Sequence, residues 1–107
     1  MSVEPGADAP IACSLDAGGL AGRAEEWRSL VASSVASVDA EPTAVRLVLH
    51  HSDQALVAAV ALAQREKECC PFFDVTLDVA ADRRTLSFRV PEGAEAVLAD
   101  FAALLRP

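Results

Sequence analysis

Cysteine has the most chemistry to offer in this chain, and two of its three cysteines stand side by side at Cys69 and Cys70. Thiolates bind soft metals and act as nucleophiles. Adjacent cysteines close on each other poorly, because the eight-membered disulfide ring distorts the peptide between them. They can instead share one soft ion with a third donor. Trivalent arsenic and divalent mercury accept three thiolates, whereas zinc takes four protein ligands in a structural site, or three plus water in a catalytic one. Cys13 is the candidate third thiol. Glu66, one helical turn before the pair, and Glu68 are the nearest carboxylates, so a mixed thiolate–carboxylate site at Glu66, Cys69 and Cys70 is also open. The bland alternative is that all three cysteines are small buried hydrophobes. A helix C-terminus carries negative potential and opposes thiolate formation. Glu66 and Glu68 add to that, and Arg65 and Lys67 offset it only in part.

The elements that must position these residues follow from periodicity. Ser52 to Phe73 is the longest apolar helical pattern. Ser52 or Asp53 caps its start. Leu56, Val60, Ala63, Lys67 and Cys70 recur on one stripe, with Leu62, Glu66 and Cys69 beside them. Pro71 ends the helix, since proline disfavours the α conformation in the residue before it and has no N–H to donate. The thiol pair is therefore expected at a helix end, just before a strand. Ile11, Cys13 and Leu15 alternate with Ala12 and Ser14, which predicts a short strand with Cys13 facing the core. If that strand and the one at Val45–Leu49 are parallel, the end of the long helix returns towards Cys13. His50 and His51 sit at the helix's other end, about 25 Å away over roughly 17 residues, too far to join the cysteines on a metal.

The rest of the chain predicts support. Residues 1–9 form a loose leader and residues 10–107 a single domain. Leu20, Ala24, Trp27, Val31, Val35 and Val38 make the inward stripe of an amphipathic first helix, broken by Asp39 to Thr43. Trp27 belongs to the core. Val45, Leu47 and Leu49 mark a strand. Phe73, Val75, Leu77 and Val79 face Leu86, Phe88 and Val90 across a hairpin turned at Ala81–Arg84. A last helix turns Val97, Leu98, Phe101, Leu104 and Leu105 inward. The order β-α-β-α-β-β-α, with one wet face on each clear strand, predicts an α+β two-layer sandwich of about four strands with helices on one face.

Composition limits the functions. A hydrophobic fraction of 52% supports a core, and 5% aromatic residues means it is built largely from small side chains. The net charge of −7 argues against nucleic-acid and anionic-membrane surfaces. No run of about 18 apolar residues is present to span a bilayer. The start lacks a basic segment followed by an apolar one, so a cytoplasmic protein with reduced thiols is expected. No P-loop, Gly-rich dinucleotide signature or nucleophile elbow is present.

The paired blocks IACSL (Ile11 to Leu15) and ECCPFF (Glu68 to Phe73) carry a family resemblance. The chain resembles small bacterial proteins with an I-A-C-x-L … E-x-x-C-C-P-F layout. Similar segments accompany MerR-type and other heavy-metal resistance regulators. The resemblance covers nearly the whole chain, including Arg23, Glu25, Glu26 and Trp27, and implies a metal-stress context with Cys13, Cys69 and Cys70 as the matched positions. The resulting expectation is a small cytoplasmic protein that binds a soft metal or metalloid ion (Hg, As, Cu or Zn) as sensor, buffer or carrier. The alternatives are a thiol-dependent small enzyme or redox protein, and a homodimeric interaction domain with packing cysteines.

Overall fold

The computed structural model describes residues 17–105, with side chains from Gly22 onward. Cys13 and the strand expected at 11–15 lie outside the described residues. Within them the order is α1 (Ala17–Ser34), β1 (Val35–Glu41), β2 (Ala44–Leu49), α2 (Asp53–Cys69), β3 (Asp74–Val79), β4 (Arg84–Arg89) and α3 (Glu95–Leu104). Among the described residues the strands form one antiparallel sheet in the order β1-β2-β4-β3. The helices cover one face of it. This is the expected two-layer α+β sandwich.

One strand was not expected: β1 stands where the first helix was expected to run on through Val38 and then break. The first helix stops at Ser34, and Val35 and Val38 belong to β1, not to the helix. Val35 pairs with Leu49 and Val38 with Leu47, with a bulge between Val35 and Ser37. In a regular strand, residues three apart point to opposite faces. The bulge adds one residue, so both valines turn towards the core, an i, i+3 spacing that a helix would also produce. A two-residue turn at Pro42 and Thr43 closes the β1–β2 hairpin.

Alternation in the central strands holds as expected. Val45, Leu47 and Leu49 of β2 and Leu86 and Phe88 of β4 are buried. On β3 it holds only partly: Val75 is half-buried, whereas Leu77 and Val79 are 38% and 55% exposed. β3 is an edge strand, and the helical layer does not reach its far end. Above the sheet, Trp27 of α1 meets Phe88 edge-on at 5.5 Å and Phe101 of α3 at 5.1 Å. Phe73 meets both phenylalanines at 5.7 and 5.3 Å. Trp27 is a core residue, as expected.

α2 is capped by Ser52, whose hydroxyl accepts the Ala55 N–H at 3.0 Å. Its buried stripe is Ala55, Ala59, Leu62, Ala63, Glu66 and Cys69. Val60, expected inward, is 41% exposed, and Leu56 is only half-buried. Small alanines face the sheet and α1 because they allow close approach, and the bulkier aliphatics sit to the side. Before α3, Gly93 takes φ 99°, a left-handed conformation that favours glycine. No helix among the described residues is long and apolar enough to cross a membrane.

Candidate metal centre

The C-terminal turn of α2 builds the site. Glu66, Cys69 and Cys70 stand at i, i+3 and i+4, so a helical turn places all three on one side. The helix closes with the Cys70 N–H donating to the Glu66 carbonyl at 2.8 Å. The chain then turns back as the Phe73 N–H donates to the Cys70 carbonyl at 3.1 Å. The Lys67 ammonium fixes this turn by donating to the carbonyls of Pro71 and, at 2.6 Å, of Phe73. A cation on the last helical turn also opposes the dipole of the helix end.

The three side chains form a nearly equilateral triangle. Cys69 Sγ and Cys70 Sγ are 3.5 Å apart. Glu66 Oε1 lies 3.9 Å from Cys69 Sγ and 3.6 Å from Cys70 Sγ. All three residues are buried, and their ligand atoms lie within 4.8 Å of one another.

A carboxylate is rarely buried without a partner. On Oε2 Glu66 has two nitrogen donors, both from α1. Arg23 Nη1 donates to Glu66 Oε2 at 2.9 Å and Trp27 Nε1 donates to the same oxygen at 3.0 Å. The two oxygens are thus divided: Oε2 is held by α1, and Oε1 faces the sulfurs. Arg23 Nη1 also reaches Cys69 Sγ at 3.6 Å. Burial alone would lower the Arg23 pKa, but the hydrogen bond to Glu66 and the charges of Glu66, Cys69 and Glu26 raise it above its ordinary value. The guanidinium is therefore a fixed positive charge beside the sulfur, of the kind a thiolate needs. The sequence reading, which set only Arg65 and Lys67 against the helix dipole, missed it. Arg65 instead pairs with Glu26.

Of the expected site residues, Glu66, Cys69 and Cys70 come together, and Cys13 lies outside the described residues. Glu68 is exposed and bonds Gln64 at 3.3 Å. His50 and His51 are exposed at the opposite end of α2. Arg23 and Trp27 are the functional neighbours that sequence reasoning missed. Comparison with models of known protein families, with curated proteins and with solved structures finds no match.

Proposed function

We propose that this chain holds one soft metal or metalloid ion on Cys69, Cys70 and Glu66, with Cys13 as a further thiolate donor, in a sensor, buffer or carrier role. The observation that carries this reading is the buried triangle of two sulfurs and one carboxylate oxygen, all within 4.8 Å.

The sulfur spacing favours some ions over others. Two sulfurs 3.5 Å apart, each bonded to one centre at about 2.3 Å, subtend roughly 100° there. That suits a pyramidal trivalent arsenic, or a tetrahedral zinc with small adjustment. A linear dithiolate of mercury or copper(I) needs its sulfurs about 4.6 Å apart at the same bond length. Loading also requires the thiols to lose their protons. Glu66 Oε1, within hydrogen-bonding reach of both thiols, is placed to relay these protons one at a time to the oxygen that leaves the incoming species, and so ends unprotonated as a donor.

The test is native mass spectrometry of reduced protein before and after one equivalent of arsenite, Zn(II) or Hg(II). The expected result is one bound ion, loss of two or three protons, and protection of Cys69, Cys70 and Cys13 from alkylation. A Cys69→Ser, Cys70→Ser double variant that binds arsenite as tightly as the parent would overturn the reading.

A second reading, thiol-dependent catalysis or redox chemistry, draws on the Arg23 contact with Cys69 Sγ. It requires Cys69 to alkylate readily below pH 7. A rate–pH profile that rises only in the range of an ordinary thiol eliminates it.

A further inference from the structure

We infer that the ligand of this centre is a monoorganic metalloid or metal species, R–As(III) in particular, and that the organic group R occupies an apolar cavity beside Cys70. The inference rests on the proposed thiolate site. A cavity of about 340 Å³ opens between α1 and α3 and reaches the triangle. Cys70 and Glu66 form its inner wall, and Phe73, Val97, Phe101 and Leu104 form its sides. A bare ion coordinated by three side chains has no use for such a space. The volume falls within the range of small-molecule sites, which are mostly apolar with a few convergent polar groups. Here the convergent groups are Cys70 and Glu66, two corners of the donor triangle, with Cys69 Sγ 3.5 Å behind Cys70 Sγ.

Charge narrows the ligand class. Asp100 stands exposed on the cavity rim, and Glu66 in the inner wall is already paired with Arg23, so the lining carries a negative charge at its rim and offers an anion no cation of its own. An anionic oxyacid is repelled there. A neutral organoarsine oxide is not, and its arsenic needs two sulfurs at the angle found here. The reaction balances without an oxidant: R–As=O and two thiols give R–As bonded to both sulfurs, plus one water. The arsenic–oxygen bonds break, two arsenic–sulfur bonds form, and both thiol protons leave on the oxygen. Arsenic stays trivalent throughout.

The test compares arsenite with phenylarsine oxide on the whole chain, read through the fluorescence of Trp27, the single tryptophan. In Val97→Phe, a half-buried wall residue grows into the cavity. Burial of an aromatic ring predicts that this variant weakens phenylarsine oxide at least tenfold and leaves arsenite within about threefold. Retained arsenite binding certifies the fold of the variant. If Val97→Phe does not fold, Leu104→Phe on the same wall takes its place. A variant that binds both probes as the parent does overturns the cavity assignment and leaves the thiolate site standing. A parent that binds neither probe removes the thiolate site, and this inference with it.

Discussion

Glu66 joins the cysteine pair to α1, because its two oxygens have different partners. Oε2 is tied to Arg23 and Trp27, and Oε1 is directed at the sulfurs. Removing Arg23 leaves a buried carboxylate without its cation, held only by the indole and two weak thiol contacts. The Arg23 and Glu66 side chains are 13% and 8% exposed, so solvent compensates little. Arg23→Met is expected to destabilise the fold by about 3 kcal/mol, measured by urea unfolding. Glu66→Gln keeps the shape but replaces the carboxylate with a neutral amide, a weaker donor. It is expected to lower arsenite affinity roughly 10- to 100-fold in a Trp27 fluorescence titration. Unchanged affinity would place Glu66 outside the ligand set. The triangle was legible in the sequence, because i, i+3, i+4 spacing on a helix leaves little freedom. Arg23 and Trp27 were not, because they come from another helix. A signal existed all the same. A glutamate on a buried stripe demands a cation, and Arg23 stands one turn before the inward-facing Trp27.

At the scale of elements, two short segments do most of the positioning. The turn after α2 holds Cys70 in place through Lys67, whose ammonium bonds the carbonyls of Pro71 and Phe73. Lys67→Met keeps the apolar stem and loses both bonds. It is expected to cost about 1 kcal/mol of stability and roughly tenfold in arsenite affinity, since the Cys70 backbone is then less well fixed. Ahead of α3, the Glu95 carboxylate accepts the Gly93 N–H at 2.9 and 3.2 Å. This bond holds its pKa below the ordinary glutamate value. A group depressed in the folded state stabilises it above the unfolded-state pKa, and that contribution fades as pH falls through the lowered folded value. A carbon-detected NMR titration should find Glu95 titrating at lower pH in the folded chain than in urea. Coincident curves would remove the role. Sequence patterning located α2, β2, β4 and the β3–β4 hairpin, because period-2 and period-3.6 patterns are unambiguous there. It failed at β1, where a bulge gives Val35 and Val38 a helical spacing. It also oversold the inward face of β3, because alternation does not tell an edge strand from a central one.

At the scale of the molecule, the site lies where the helices meet. α1 supplies Arg23 and Trp27, α2 the donor triangle, and α3 the far wall of the cavity at Val97, Phe101 and Leu104. Trp27 links the triangle to the aromatic core, because it bonds Glu66 and packs on Phe88 and Phe101. On the proposed function, an ion held here would tie the helical layer together in the native state and stabilise the whole fold by mass action, by about 2.7 kcal/mol when free ligand stands at 100 times its dissociation constant. Arsenite should accordingly raise the thermal midpoint of the parent by several degrees, and the shift should grow with ligand concentration. Hydrogen-exchange protection should rise in α1 and α3 as well as at the α2 terminus, although neither outer helix supplies a ligand atom from its described residues. The Cys69→Ser, Cys70→Ser chain should show neither effect. Protection confined to residues 66–73 would mean that the ion binds without engaging Arg23 and Trp27. The coupling of α1 to the site through Glu66 would then be wrong.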